Sequence, residues 1–188
     1  MQCPSCGRPI EFEEKYTKLL SCKYCNSILE FGGSELTKIW EQSEFIDFPS
    51  VFEVWKNIEY KWKNISVKGQ VRYEYDGGFF DKYFVIVDGK QMYIREDDGL
   101  VTFSEDGRFQ DWELTLIDKV PGTNLNLWWK ELFIQEVWIF KLISLKWSVM
   151  NHLIPWREYE YLDWICNGKM YFLERDIVWN KLRICKQL

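Results

Sequence analysis

Alternation of apolar and polar residues is the dominant pattern in this chain, and it is typical of β-strands. Residues 66–75 alternate without a break, which predicts a strand with one buried face and one solvated face. An apolar run at 83–87 and a second at 91–94 flank Asp88-Gly89, a dipeptide that favours a two-residue hairpin turn. Asp76-Gly77, Asp98-Gly99 and Asp106-Gly107 mark further turns, and residues 113–117 form another strand candidate. Residues 51–122 therefore predict an antiparallel meander that curls into a small barrel or sandwich.

The pattern partly repeats after Pro121-Gly122. Apolar β-rich runs at 137–149 and 156–165 lead to Asn167-Gly168 and a short strand at 170–173. The hairpin at 87–90 has a counterpart at 166–169, and residues 93–96 resemble 171–174. We interpret residues 123–188 as a second β-rich segment and the likeness as a degenerate duplication. The pattern leaves open whether the two segments form one sheet or two.

The first part of the chain carries two Cys-x-x-Cys pairs separated by fifteen residues. This spacing is typical of a zinc ribbon, in which each pair forms a tight turn whose thiolates point at one metal ion. Gly7 and Asn26 follow the two pairs, and both residue types tolerate the left-handed backbone that such a turn needs. The spacing predicts one structural zinc ion bound by Cys3, Cys6, Cys22 and Cys25.

Two other roles for these cysteines were weighed. A disulfide framework needs an oxidising compartment, but Met1 leads directly into Cys3 with no basic or apolar leader segment. This favours a reducing cytoplasm, where paired cysteines are more often metal ligands. A thioredoxin-like redox pair would use a single Cys-x-x-Cys beside a βαβ pattern, which this region lacks.

The segment after the second cysteine pair predicts the end of the ribbon. Apolar residues between the pairs indicate a short hairpin, residues 28–31 indicate a closing strand, and Gly32-Gly33 interrupts the pattern, so we place the zinc ribbon at residues 1–32. Ser34 can cap a short helix that runs to about Gln42, with Leu36, Ile39 and Trp40 on one face. Residues 33–50 are therefore predicted to be a short helix and a linker.

Composition and charge narrow the function classes. The chain has 188 residues, of which 47% are hydrophobic, and a formal charge of -5. Nucleic-acid binding needs clustered cations, whereas residues 1–30 carry equal numbers of basic and acidic side chains. The most apolar stretch, 132–149, contains Gln135, Glu136, Lys141 and Lys146, so it does not predict a membrane span.

Aromatic residues make up 18% of the chain. They could serve as stacking platforms for single-stranded nucleic acid. In an acidic chain they more often fill and flank β-sheets, and exposed Trp and Tyr residues suit a protein-binding surface. A basic face formed in three dimensions by Lys56, Lys61, Lys63 and Lys68 would favour the nucleic-acid alternative, whereas a solvated strand face would not.

Little in the sequence points to catalysis. Cys166 and Cys185 lie in apolar runs and are expected to pack as small hydrophobes. His152 is the sole histidine, and nothing near either cysteine indicates a Cys-His nucleophile. Acidic groups such as Glu96-Asp97-Asp98 are interpreted as solvated turns. No catalytic residue is predicted.

The motifs together resemble the bacterial family called domain of unknown function 4178. The resemblance rests on the Cys-Pro-Ser-Cys-Gly turn at 3–7, the second cysteine pair, the Val-Lys-Gly-Gln-Val strand at 67–71, and the two Asp-Gly turns with their aromatic strands; Leu153 to Trp156 also fits. Phe80 and Lys82 stand where that family carries Trp and Glu. The resemblance implies a cytoplasmic bacterial protein with a zinc ribbon and a β-rich domain, but no activity, and its gene surroundings make an adaptor role plausible.

Three functions are therefore compared. The sequence favours a non-enzymatic zinc protein that acts as a protein-protein interaction or adaptor module. A nucleic-acid-binding zinc-ribbon protein is the first alternative, and an enzyme of unrecognised type is the second. The partner and the oligomeric state are not specified by any motif.

Overall fold

β-Strands are the main regular secondary structure of the described residues, which contain no helix. The computed structural model describes residues 1–13, 15–41, 45–97, 99–106, 120–127, 130–149, 154–177 and 182–187. The strands in these residues are β1 (Leu19–Ser21), β2 (Ile28–Phe31), β3 (Leu36–Trp40), β4 (Asn57–Tyr60), β5 (Lys63–Tyr75), β6 (Gly78–Val87), β7 (Lys90–Asp97), β8 (Leu100–Asp106), β9 (Asn124–Leu127), β10 (Lys130–Val149), β11 (Glu158–Cys166), β12 (Lys169–Asp176) and β13 (Leu182–Gln187). The described residues include no helix long and apolar enough to cross a membrane.

Three of the predicted turns lie where the sequence places them, while Asp98 and Gly107 of two others lie outside the described residues. Asp88-Gly89 joins β6 to β7, and Asn167-Gly168 joins β11 to β12, with all four residues at positive φ. Such turns match the right-handed twist of the strands they connect. Asp76-Gly77 joins β5 to β6. The strand predicted at 113–117 lies outside the described residues.

Eight of the strands close into one antiparallel barrel. Around the barrel the order is β5, β6, β7, β8, β13, β12, β11 and β10, and β10 pairs with β5 to close it. The segments 51–122 and 123–188 contribute four of these strands each, so they share one sheet. The predicted mainly β fold with a barrel is confirmed, and closure removes the exposed edges that an open sheet would have.

Contacts between strands that are not neighbours identify the inside of the barrel. Lys82 of β6 forms an ion pair with Glu174 of β12, and Arg95 of β7 donates a hydrogen bond to the Tyr161 hydroxyl of β11 at 3.0 Å. Aromatic residues from six strands fill the space around these pairs, which makes the barrel a packed core with charged groups inside it. The larger buried members are Tyr73, Phe80, Phe84, Tyr93, Phe140, Tyr159, Tyr161 and Phe172.

The two halves of the barrel are structurally equivalent. In the first half Ile65 pairs with Val87, and a bulge at Lys68 interrupts the β5–β6 ladder. In the second half Leu132 pairs with Cys166, and a bulge at Gln135 interrupts the β10–β11 ladder at the corresponding position. Strand β4 pairs with β5 just as β9 pairs with β10. The barrel therefore contains a pseudo-twofold repeat, which agrees with the duplication suggested by the sequence.

The N-terminal hairpin extends this sheet. Strand β1 pairs with the last residues of β10, where Leu19 opposes Val149 and Leu20 opposes Ser148. Leu19 and Ile28 pack into the same cluster as the barrel interior. The ribbon therefore covers one end of the barrel and is part of its core.

The helix predicted for 34–42 is wrong. Residues 36–40 form β3, which pairs with β2, so the ribbon sheet extends beyond residue 32; residue 42 lies outside the described residues. Leu36 packs on the cysteine side of the hairpin and Ile39 on the barrel side. The apolar spacing that resembles a helix face therefore arises from two faces of a strand, which the free edge of β2 and the β-favouring residues Thr37 and Ile39 stabilise.

The expected single buried face of β5 is also wrong. The bulge at Lys68 places Val67 in the cluster outside the barrel and Val71 in the cluster inside it. Arg72, predicted on the solvated face, is 4% exposed because its guanidinium binds both carboxylate oxygens of Asp81 under the ring of Phe48. A bulge of this kind has no clear signal in an alternating sequence.

Candidate metal centre

Two tight turns present the four N-terminal cysteines. The Gly7 N–H donates to the Cys3 carbonyl at 2.9 Å, and the Asn26 N–H donates to the Cys22 carbonyl at 2.8 Å. Gly7 and Asn26 have φ values of 71° and 57°, in the left-handed region that the sequence predicts for them. Each turn therefore directs two thiols toward the same point.

The sulfur atoms lie at the spacing of a tetrahedral site. The ligand atoms of all four cysteines lie within 4.8 Å of one another. The Sγ atoms of Cys3 and Cys25 are 3.8 Å apart, as are those of Cys6 and Cys22. A tetrahedral ion with metal–sulfur bonds of about 2.3 Å separates its sulfur atoms by about 3.8 Å. The cluster can therefore hold a metal ion, and four thiolates would fill its coordination shell.

The environments of the thiols differ. Burial raises the pKa of Cys22 to about 12. Burial alone would also raise the pKa of Cys25, but its side-chain and backbone hydrogen bonds with Ser27 outweigh that effect and lower the pKa to about 6. The Ser27 hydroxyl oxygen also lies 3.0 Å from both the Ser5 hydroxyl and the Glu41 carbonyl oxygen. Ser27 therefore links the two turns to the residue that follows β3 and orients the Cys25 thiol.

Packing ties the cysteines to the barrel. Cys3 and Cys22 are buried in a cluster with Ile10, Leu20, Leu29, Phe31 and Trp147, the last of which belongs to β10. The Trp147 N–H donates to the Ser21 hydroxyl at 2.8 Å. The cysteine turns and a barrel strand therefore share one packed cluster.

The remaining cysteines lie far from this site. Cys166 is buried against Leu162 and Trp164 on the outer side of the second half, as expected of a small hydrophobe. Cys185 lies in β13, where its backbone pairs with Phe172. His152 lies outside the described residues, so the expectation for a Cys-His pair stays a prediction.

Two of the four lysines that could form a basic face pair with carboxylates, whereas Lys61 lies over the Tyr60 ring. Lys56 pairs with Glu53 at 2.7 Å, and Lys68 pairs with Glu13 at 2.5 Å. Lys63 lies over the Phe103 ring. Each carboxylate cancels a charge that phosphate contacts would need.

A groove lies where the ribbon meets the barrel. It has a volume of about 450 Å³ and is lined by Glu11, Phe12, Glu13, Lys23, Trp55 and Trp147. Trp55 is 57% exposed, has a φ of 75°, and contacts the Trp147 ring with centroids 4.5 Å apart. The backbone N–H of Trp55 donates to the Val67 carbonyl. At the equivalent position of the second half, the backbone N–H of Gly122, which has a φ of 79°, donates to the Ile134 carbonyl. An aromatic residue therefore occupies a strained position for which the repeat uses glycine.

A second site was missed by the sequence analysis. Arg95, Asp97, Glu136 and Asp163 line a cavity at the other end of the barrel, with Trp138 and Tyr161. Asp97, interpreted as part of a solvated turn, has a side chain only 18% exposed and pairs with Arg95 at 2.6 Å. Polar residues at alternating inward positions of β7 and β11 are the signal for this site, but they can be recognised only once the barrel closure is known.

Electrostatics at this cavity are unusual. Burial raises the pKa of Asp163 to about 6. The hydrogen bond from the backbone N–H of Glu136 lowers this pKa, whereas the negative charge of the Glu136 side chain raises it. Burial also raises the pKa of Tyr161 above its ordinary value. The pKa of Arg95 is raised because Tyr161, Asp97 and Glu136 outweigh the effect of its burial. Such perturbed groups often mark binding sites.

Comparison with known proteins yields no relative: no family model, no curated protein and no solved structure matches the chain. The resemblance to the bacterial family therefore stays a prediction.

Proposed function

We propose that the chain is a non-enzymatic zinc protein that acts as an interaction module, with the groove at Trp55 and Trp147 as its binding surface for a protein partner. The spacing of the four sulfur atoms supports zinc, because tetrahedral thiolate sites are typical of structural zinc. A complete thiolate set leaves no position for a substrate on the metal. The ligand set also requires reduced thiols, which suits a cytoplasmic protein.

The backbone conformation of Trp55 is the main reason for assigning the binding surface to this groove. Holding an aromatic residue at positive φ costs roughly 1–3 kcal/mol, and Gly122 avoids this cost at the equivalent turn. Exposed Trp residues are the side chains most enriched at interface hot spots. Glu11 and Lys23 also line the groove, and Glu13 is paired there with Lys68 at 2.5 Å, so the charges around the two rings balance. We therefore expect the partner to present a segment with apolar and aromatic side chains.

Trp55→Gly tests this role, because it removes the indole ring while glycine readily adopts the backbone conformation of this position. The substitution relieves the strain while losing the ring contact with Trp147, so the fold should be retained. Trp62→Gly is the matched control, because Trp62 is 94% exposed and also has a positive φ, but lies in the β4–β5 turn outside the groove. Binding of an immobilised peptide library that varies aromatic content should favour aromatic peptides, and W55G but not W62G should lose it. Equal binding to both variants, or no preference for aromatic peptides, would exclude the groove.

Zinc is tested separately by elemental analysis of the purified full chain. About one equivalent of zinc per chain is expected, and Cys22→Ser should reduce it strongly. Another metal at full occupancy, or none in a folded chain, would contradict the proposal. Cys166→Ala provides the control, since Cys166 lies on the outer side of the second half.

A further inference from the structure

The cavity at the open end of the barrel is separate from the metal centre. It has a volume of about 600 Å³, within the range of small-molecule sites. Along β10 the ribbon pairs at Ser148 and Val149, whereas the cavity is lined by Gln135, Glu136 and Trp138. The two sites therefore lie at opposite ends of the same strand. Mouths of eight-stranded barrels are of a size to hold one small ligand.

The cavity lining carries more negative than positive side chains. Three carboxylates, those of Asp97, Glu136 and Asp163, line it together with one guanidinium, that of Arg95. Arg95 binds one oxygen of Asp97 and the hydroxyl of Tyr161. Two carboxylates therefore remain without a matching cation among the described lining residues, so the cavity attracts positive charge.

The equivalent residues of the repeat show that this imbalance is particular to the cavity. The repeat places Lys82 where the other half has Tyr161, and Glu174 where it has Arg95, and these two residues form an ion pair. Asp176 corresponds to Asp97 and pairs with Arg157 at 3.0 Å. Phe84 corresponds to Asp163. The equivalent residues of the repeat therefore pair their charges, whereas the cavity lining retains an excess of acid.

Aromatic rings form the wall beside these carboxylates. The ring centroids of Tyr75 and Trp138 are 5.0 Å apart, and those of Trp138 and Tyr161 are 4.4 Å apart. The Arg95 guanidinium lies 5.1 Å from both the Trp138 and Tyr161 centroids. The wall thus already stacks on one planar cation, and aromatic faces bind cations through their quadrupoles.

Hydrogen-bonding capacity inside the cavity is incomplete. Arg95 Nε, Asp97 Oδ1 and Gln135 Oε1 are buried and have no hydrogen-bond partner among the described residues. A buried polar atom without a partner destabilises the fold. Two of the three are acceptors, so a ligand that brings N–H donors would complement them.

We propose that the barrel mouth binds a small organic cation that carries an amine or guanidinium group on a flat apolar body. The carboxylates of Glu136 and Asp163 receive the charged group, and the rings of Trp138 and Tyr161 contact the apolar body. This site goes beyond the proposed interaction role of the groove and does not depend on it.

Isothermal titration of the full zinc-loaded chain with three indole probes tests the charge preference. Tryptamine is a cation, tryptophol is neutral, and indole-3-acetate is an anion, while the ring is the same in all three. Tryptamine should bind at least tenfold more tightly than tryptophol, and indole-3-acetate more weakly still. Tighter binding of indole-3-acetate would mean that Arg95 sets the preference and would overturn the proposal, as would no binding of tryptamine at millimolar concentration.

Two variants locate the binding. Asp163→Asn and Glu136→Gln keep the side-chain shapes and should each weaken tryptamine binding about tenfold, because each removes a charge-assisted contact. Glu59→Gln is the control, since Glu59 is exposed on β4 outside the cavity. Unchanged affinity in both cavity variants, or an equal loss in E59Q, would overturn the site. W55G should bind tryptamine normally, so failure of the peptide groove and failure of this site can be distinguished.

Discussion

Lys82 and Glu174 form an ion pair across the barrel interior, and the internal repeat places Tyr161 and Arg95 at the corresponding positions. Both members of the ion pair are almost completely buried, at 5% and 7% side-chain exposure. Two related polar contacts therefore cross one barrel, one between charges of opposite sign and one between a cation and a hydroxyl.

Lys82→Met should destabilise the barrel strongly. The substitution removes the cation nearest to the buried Glu174 carboxylate, and breaking a buried pair typically costs about 3–5 kcal/mol. Urea unfolding should show this loss as a lower midpoint. The double variant K82M/E174M should recover much of it, because no buried charge then remains at this position; a double variant as unstable as K82M would contradict the role of the pair.

Gly69→Ala should be poorly tolerated for a steric reason. A Cβ atom at Gly69 would lie 1.9 Å from the Ser148 carbonyl oxygen, so β5 and β10 would have to separate at the point where the ribbon begins to pair. A loss of about 3 kcal/mol or more in the free energy of unfolding is expected. Gly32→Ala is the control, because its nearest neighbour is the Glu35 carbonyl at 3.9 Å. Equal stability of the two variants would show that the close approach is not required.

Zinc removal should destabilise the barrel as well as the ribbon. The reason is that Leu19 and Ile28 of the ribbon pack in the barrel core. Loss of a ligand present at a thousand times its dissociation constant costs about 4 kcal/mol. Chelation should therefore lower the unfolding temperature of the whole chain and change its near-ultraviolet circular dichroism. Unfolding of residues 1–40 alone, with the barrel signal preserved, would instead indicate an independent ribbon.

Asp163 should make the chain less stable as the pH rises. Its pKa is raised to about 6 in the folded state, so the folded chain retains a proton that the unfolded chain loses near pH 4. The resulting stabilisation is complete below pH 4 and is lost as the pH rises through 6. Arg95 and Asp97 from β7, Glu136 from β10 and Tyr161 from its own strand are the charged and titratable groups that line the cavity with it.

Asp163→Asn isolates this effect. The variant cannot ionise, so its unfolding temperature should exceed that of the unsubstituted chain at pH 7.5 and match it at pH 4.5. Thermal unfolding at the two pH values measures the difference. A variant that is less stable at both pH values would mean that the contacts of the Asp163 carboxylate stabilise the fold more than its buried charge destabilises it.

Local patterns predicted much of the fold. The hairpin turns at Asp88-Gly89 and Asn167-Gly168 and the cysteine turns at Gly7 and Asn26 depend on neighbouring residues, and all of them were recognised in the sequence. The helix at 34–42 was wrongly predicted because the three-residue spacing of Leu36 and Ile39 also fits the two faces of a strand. Pairing with the edge of β2 favours the strand over the helix. This pairing is a tertiary contact, which the local pattern does not contain.

The open end of the barrel illustrates what local patterns cannot predict. Arg95 and Asp163 are distant in sequence and come together only because β8 pairs with β13 and β5 with β10. The bulges at Lys68 and Gln135 also decide which residues point inward. Neither closure nor bulges have a short-range signal, so the cavity was not predicted, whereas the clustering of the four cysteines could be predicted from their spacing.

Strand β10 makes the two ends of the barrel different. Two equivalent four-stranded halves alone would produce an object with two similar ends. The extension of β10 to Val149 pairs with the ribbon at one end only, so the cysteine-bearing hairpin covers one entrance, and the described residues leave the other accessible. A small molecule would therefore reach the charged and aromatic groups of the cavity from the end opposite the cysteine cluster.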